Sequence, residues 1–254
     1  MLTYGCGLDT DFQLIPGSYG TPTNDRPDVH TGDVLPVTLG HEFCGRIQEA
    51  PPGCPFAVGQ AVMVDPHLHC TQCTPCSCQQ NKICDKLRFL GLSGGGGGGL
   101  SEFVAVNWQD CQAIPESMLD VAALIEPLAV ARHALHRVRV TSWKDESVLV
   151  LGGGPIGQAV LHNLRAVGCT TLMCSEVSKA RQDQVRAIGC TIFDPTTTDV
   201  ASRVRAMTGG HGATVVFDCA GVQPAFQAGM EALGKRGTLV MVASWTQPVS
   251  WACD

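Results

Sequence analysis

No run of lysine or arginine occurs in the 254 residues, and the net charge is −6. A phosphate-backbone footprint for nucleic acid is therefore not expected. No apolar stretch reaches membrane-spanning length. The opening residues, MLTYGCGLDTDFQ, have neither a basic start nor an apolar core, so no secretory signal is read there. Charged residues make up only 16 % of the chain against 44 % hydrophobic. That excludes the disordered and fibrous classes and allows one or two domains with buried cores. Cysteine, by contrast, is abundant, with fourteen in the chain. Without a signal, these read as reduced thiols and metal sites in a cytoplasmic protein rather than as a disulfide framework.

Residues 1–112 are rich in Gly, Pro and Cys, with short apolar runs at 61–64 and 103–106 that suggest short strands and turns. The glycine run at 94–99 reads equally as a linker or as a tight loop inside a domain. Residues 116–140 read as helix, capped by Ser117 and kinked by Pro127 near Glu126. From Ser147 onward, apolar runs at 148–151, 171–174, 191–193, 214–217 and 238–242 alternate with helical stretches. That β-α repetition predicts an α/β fold with a doubly wound parallel sheet of five strands. Such sheets usually have six, in the order 3-2-1-4-5-6.

The first of these strands runs into Gly152-Gly153-Gly154-Pro155-Ile156-Gly157. This G-x-G-x-x-G pattern carries weight because it follows a strand and opens a helix. Gly152 permits the turn, Gly154 lets backbone approach a pyrophosphate, and Gly157 lets the helix pack against the strand. The helix N-terminus offers free N–H groups to phosphate. Glu176 ends the second strand, where a carboxylate accepts from both ribose hydroxyls and repels a 2′-phosphate. NAD is therefore expected over NADP, with Lys179 and Arg181 nearby pulling the other way.

Cys70, Cys73, Cys76 and Cys84 are spaced C-x2-C-x2-C-x7-C. Four thiolates close a tetrahedral structural zinc at roughly 2.3 Å per bond. An iron–sulfur motif would continue with x3-C-P, whereas here the gap is seven and Asp85 follows. The acidic balance argues against a nucleic-acid zinc module.

Gly40-His41-Glu42 follows an apolar run, Cys6-Gly7-Leu8-Asp9 lies upstream, and Ile125-Glu126-Pro127-Leu128-Ala129 lies downstream. Singly these are weak signals. With the cysteine lobe and the glycine fingerprint, the chain resembles the medium-chain zinc-dependent alcohol and polyol dehydrogenases, the butanediol and sorbitol subgroup in particular. The resemblance spans the chain to about residue 244. It implies a GroES-like catalytic domain over 1–132, with its structural zinc lobe at 67–88, and a Rossmann NAD-binding domain over 133–254. Both domains are expected to be incomplete, lacking opening strands at one end and the sixth strand with its return segment at the other.

The resemblance also implies roles. Cys6, His41, Glu42 and Glu126 would surround a catalytic zinc, with Glu42 and Glu126 exchanging with water or substrate. Asp9 would hold His41 and fix its tautomer. The metal would lower the pKa of an alcohol, and hydride would pass to the nicotinamide. Pro155, Ile156 and Arg181 would contact the cofactor, with Val242, Ala243 and Ser244 near its nicotinamide end. The expected partner is a small alcohol or carbonyl substrate; the family forms homo-oligomers, but the strand that usually makes the interface is missing from this sequence, so the resemblance implies no oligomeric state.

The sequence departs from the family at Leu8, where a Ser or Thr proton relay is usual; leucine has no proton to pass. A non-catalytic zinc- and nucleotide-binding remnant is the alternative function. Cys6, His41 and Glu42 argue against a reductase of the superfamily that lacks catalytic zinc.

Overall fold

The structure, a computed structural model, describes residues 2–6, 26–93 and 97–251. The chain divides into two compact units, Met1–Glu126 and Pro127–Asp254.

The first unit is built on an antiparallel sheet ordered β1-β2-β3-β6, with β1 at Leu2–Cys6, β2 at Glu42–Arg46, β3 at Ala61–Val64 and β6 at Cys111–Ala113. Successive side chains of a strand point to opposite faces. Phe43, Val62 and Val64 accordingly join Leu90 and Val104 in one apolar cluster, while Cys44, Ala61 and Met63 pack with Leu119 and Ala122 in another. A two-stranded ribbon, β4 (His67–Leu68) with β5 (Arg88–Phe89), closes the base of the lobe that carries the four spaced cysteines. Within that lobe, α1 is a single turn over Thr74–Ser77.

The segment expected as one long helix is two elements. A 3₁₀ stretch covers Glu116–Leu124, and α2 begins at Ile125 and runs to His136. Pro127 explains the break. Its ring would clash with the carbonyl four residues earlier, and it has no N–H to give. An α-helix can start just before it, where the first N–H groups are unbonded anyway, but cannot continue through it. Pro127 therefore sets the start of α2 rather than kinking its middle. Nor does Ser117 cap: the position before the 3₁₀ stretch is Pro115, with no side-chain cap bond.

The second unit is the parallel sheet, ordered β9-β8-β7-β10-β11. These strands are β7 Ser147–Leu151, β8 Thr171–Ser175, β9 Thr191–Phe193, β10 Ala213–Asp218 and β11 Leu233–Met241. Read in chain order this is 3-2-1-4-5. Helices α3 (Pro155–Ala166), α4 (Lys179–Ala187), α5 (Val200–Met207) and α6 (Gln223–Ala232) make the crossovers. Local signals set their starts. Pro155 opens α3, and the Asp199 side chain accepts from the Ser202 N–H at 3.1 Å to cap α5.

Both faces of the sheet are covered. Val148 and Val150 pack with Leu161, Leu164 and Phe217 on one side, while Leu149 and Leu151 pack with Met173, Val204 and Val216 on the other. Among the described residues no helix is long and apolar enough to cross a membrane.

Leu149 is fully buried at the centre of this sheet. Leu149→Ala is expected to cost about 2–5 kcal/mol. Urea unfolding followed by circular dichroism measures it; a loss near zero would mean that the sheet is not packed on both faces.

Candidate metal centres and dinucleotide site

Cys70, Cys73, Cys76 and Cys84 come together, each sulfur within 4.8 Å of the others. The tight turns needed for this include left-handed backbone at Thr71 and Gln79. Backbone amides converge on the thiols: Cys70 N–H and Lys86 N–H on Cys84 Sγ, both at 3.3 Å, and Cys73 N–H on Cys70 Sγ at 3.4 Å. The amides of Gln72 and Cys73 hold the Cys70 thiol down at about 6. Burial, reinforced by the neighbouring thiols, pushes Cys76 up to about 12. Four sulfurs at this range cannot all ionise against one another unaided. A thiophilic dication resolves the repulsion, and four thiolates are a closed donor set for zinc. The lobe also anchors the segment ahead of His41. His30 Nε2 lies 2.5 Å from the Lys86 carbonyl, and buried Asp28 pairs with Arg88 Nε at 3.3 Å.

His41, Glu42 and Glu126 form a second cluster, with one ligand atom from each within 4.8 Å of the others. Their residues are 8 %, 0 % and 9 % exposed, so the group is out of water. Glu42 opens β2, and its register partner on β1 is Cys6. Of Cys6, only this backbone position is described. Asp9 and Leu8 lie outside the described residues. Glu126 arrives through the 3₁₀ stretch, which β2 itself fastens: the Cys44 thiol donates to the Leu119 carbonyl at 3.2 Å, and Arg46 pairs with Glu116. One strand thus carries one carboxylate and anchors the segment that delivers the other.

His41 is set by two neighbours. The ring of Phe89 meets it edge-on at 6.1 Å between centroids. Behind it, Gly99 N–H and Leu100 N–H donate to the carbonyls of Gly40 and Leu39 at 2.7 and 3.0 Å. The described end of the glycine run is therefore a packed loop and not a linker. A Cβ on Gly98 would lie 2.4 Å from the Leu39 carbonyl oxygen, a space only glycine leaves open.

Two carboxylates and an imidazole this close and this buried suit a divalent cation with N and O ligands. The twelve described cysteines are all free thiols.

In the second unit, β7 ends at Gly152, whose N–H donates to the Ser175 carbonyl at 2.8 Å. Glu176 is 5 % exposed, and its two carboxylate oxygens accept from the Gly153 and Ser178 amides, each at 2.6 Å. Glu176 therefore braces the glycine turn from the side. A carboxylate has lone pairs beyond two bonds, so ribose hydroxyls can still be accepted. Pro155 and Ile156 form the first turn of α3. Arg181 comes within 3.6 Å of where a Gly154 Cβ would stand. The Val242 and Ala243 amides both donate to the Asp218 carbonyl at 2.9 Å, and Ser244 follows them.

Asp218 itself was not among the sequence candidates. It is fully buried, and its side chain accepts from Ala220 N–H, Gly221 N–H and Trp245 Nε1 at 3.0–3.1 Å. It organises the carboxyl end of β10 beside Gly152, at the point where the strand order reverses, which is where doubly wound sheets take ligands. The signal available in the sequence was a lone acid closing the apolar run at 214–217.

Residues 6–116 match the alcohol dehydrogenase GroES-like domain, and residues 155–253 match the zinc-binding dehydrogenase domain. The chain belongs to the zinc-binding alcohol dehydrogenase family, a family of oxidoreductases, as expected from its motifs.

Among its relatives are the (R,R)-butanediol dehydrogenases of Neisseria gonorrhoeae and Saccharomyces cerevisiae. The first is 35 % identical over 249 residues, covering 96 % of this chain and 69 % of the relative. The second is 31 % identical over 260 residues, covering 94 % and 67 %. A 2-dehydro-3-deoxy-L-galactonate 5-dehydrogenase of Pseudoalteromonas atlantica is 36 % identical over 211 residues, covering 82 % and 60 %. The chain thus spans about 60 to 69 % of the length of these relatives. The 2R,3R-butanediol dehydrogenase structure from Bacillus subtilis superposes with a TM-score of 0.85 at 30 % identity, covering 98 % of this chain and 70 % of that one. A zinc-binding dehydrogenase structure from Sinorhizobium meliloti 1021, bound to NADP, gives 0.85 at 28 % identity, covering 99 % and 70 %. The α/β class, the five-strand parallel sheet and the GroES-like unit predicted from sequence are borne out.

Gly157 packs so close to the turn that an added Cβ would stand 1.9 Å from the Gly152 carbonyl oxygen. Gly157→Ala is expected to push α3 off the turn and weaken NADH binding by about tenfold or more. Fluorescence titration with NADH measures it, and an unchanged affinity would show that this turn does not hold the cofactor.

Proposed function

We propose that this chain is a zinc-dependent dehydrogenase that moves a hydride between NAD and a secondary alcohol, vicinal diol or polyol. The observation that carries the proposal is the buried convergence of His41, Glu42 and Glu126, with Cys6 as the register partner of Glu42. These four residues would hold the catalytic zinc, and Cys70, Cys73, Cys76 and Cys84 the structural one. The names of the relatives, butanediol and galactonate dehydrogenases, support a hydroxylated aliphatic substrate.

When bound, zinc would polarise the substrate oxygen and lower the pKa of an alcohol towards neutrality. The chain's own groups do the rest. His41 presents a neutral imidazole nitrogen, with Asp9 proposed to fix its tautomer. Glu42 and Glu126 bring negative charge that offsets the ion, and a carboxylate oxygen of either can take the proton an alcohol releases. Gly152, Gly154 and Gly157, with Pro155 and Ile156, leave room and amide donors for the pyrophosphate. Glu176 favours NAD over NADP by repelling a 2′-phosphate, although Arg181 beside Gly154 works the other way. Val242, Ala243 and Ser244 are assigned to the nicotinamide end. The domain roles follow: residues 1–132 catalytic, residues 133–254 cofactor-binding. Thiols kept free for metal suit a reducing compartment such as the cytoplasm.

Metal analysis and an assay of NAD reduction with a panel of vicinal diols and polyols test this reading. Two zinc ions per chain and measurable turnover are expected. His41→Ala should lower kcat/KM by about a hundredfold or more and remove one zinc, while Cys84→Ser should remove the other and lower the melting temperature. Turnover undiminished in His41→Ala would refute the metal assignment.

Leu8 offers no proton where relatives of this subgroup carry a hydroxyl. Leu8→Thr is expected to raise kcat, by up to about a hundredfold, with the gain largest at low pH, where the released proton is hardest to lose. Steady-state kinetics over a pH series checks it; a flat response would remove the relay from the account.

A further inference from the structure

A cavity of about 670 Å³ opens in the second unit at the amino ends of β7, β10 and β11. The glycine turn and Glu176 sit at the carboxyl ends of the same sheet, a strand length of about 17 Å away. The cavity is therefore separate from the dinucleotide site.

Its lining has the opposite sign to the chain as a whole. Arg139, Arg205, Lys235, Arg236 and His211 line it, against Glu146 as the one acid. Arg205 is engaged, donating to the Glu231 carbonyl at the end of α6 at 2.7 Å. Arg139, Lys235 and Arg236 have no acidic partner within ion-pair distance among the described residues. All three are exposed at the rim of one hollow, where an anion could take hydrogen bonds from them together.

The backbone supplies a second, independent observation. β10 steps two residues from Ala213 to Val215, while β11 steps five, from Leu233 to Thr238. The stretch from Gly234 to Gly237 is thus thrown out of the ladder, carrying Lys235 and Arg236 to the cavity wall. Arg236 sits at φ +62°, in the left-handed region that suits glycine. Glycines flank it on both sides of the pair, yet the strained position itself holds an arginine. Left-handed non-glycine residues occur in tight turns, as at Thr71 and Gln79, and are also enriched at ligand sites.

We propose that this cavity binds a phosphorylated small molecule. Guanidinium forks and an ammonium match phosphoryl oxygens in charge and geometry. The volume far exceeds a bare phosphate and falls in the range of small-ligand pockets. Val138, Val140 and Leu233 give it apolar wall for a carbon skeleton. The chemistry is shared by nucleotides and sugar phosphates, and the proposal does not rest on the dehydrogenase reading.

Calorimetric titration of the full chain at matched ionic strength tests it, with tripolyphosphate, AMP and glucose 6-phosphate as probes. Saturable tripolyphosphate binding is expected, weakened about tenfold by Arg139→Ala and by Arg236→Gly; any portion weakened by Arg181→Ala instead belongs to the glycine turn. Arg236→Gly relieves the left-handed strain, so a loss of binding there is not a loss of folding. The ester that binds more tightly through Arg236 identifies the source. No saturable binding, or binding lost in Arg181→Ala and kept in Arg236→Gly, overturns the proposal. Tripolyphosphate binding with neither ester bound also overturns it, since the cavity would then take inorganic anions alone.

Discussion

Two carboxylates cannot both stay ionised a few ångströms apart in a site closed to water unless positive charge lies between them. Glu42 and Glu126 meet that condition, and the imidazole of His41 joins them. A proton on one carboxylate or on the imidazole would relieve the repulsion, and so would a bound cation. A dication would do so while turning each buried polar atom into a ligand. The first unit is arranged around keeping these three groups in one place.

That placement comes from backbone packing more than from side-chain bonds. β2 begins with Glu42, is aligned with Cys6 on β1, and fastens the 3₁₀ stretch through Cys44 and Arg46. Pro127 then starts a new helix at Ile125, so the carboxylate of Glu126 falls in its first turn and not on a passing helical face. On the other side, the loop at Gly98 and Gly99 lies against Leu39 and Gly40 too closely for any side chain. His41 therefore has little freedom to retreat from the carboxylates, which is the preorganisation a metal site needs.

The parts legible in the sequence were those written locally. The cysteine spacing and the glycine fingerprint each lie within one short stretch, and the β-α alternation repeats often enough to give the strand order. The His41, Glu42 and Glu126 cluster is assembled from distant stretches, and only resemblance to a family pointed to it. Pro127 was visible, but whether it kinks a helix or starts one depends on the 3₁₀ packing of Leu119 and Ala122 against β2. The glycine run was ambiguous because glycine serves flexibility and close packing equally. Asp218 and the cationic cavity left no pattern: the first is one acid at a strand end, and the second draws on the starts of three strands that are separate in the chain.

The two candidate metal centres of the first unit are also linked by a shared aromatic contact. Phe89 on β5 is the register partner of His67 at the base of the cysteine lobe, and its ring stands 4.9 Å from that of His67 and 6.1 Å from that of His41. Asp65 pairs with His67 and so fixes the far side of this stack. A lobe held shut by four thiolates on one ion would keep β4 and β5 paired, and the paired ribbon would keep Phe89 against the imidazole. Loosening the lobe would therefore disturb His41 without touching any ligand of its own centre. If the four thiolates hold an ion, their centre, which would offer no open position for a substrate, would act on the His41 cluster by limiting how far one aromatic ring can move.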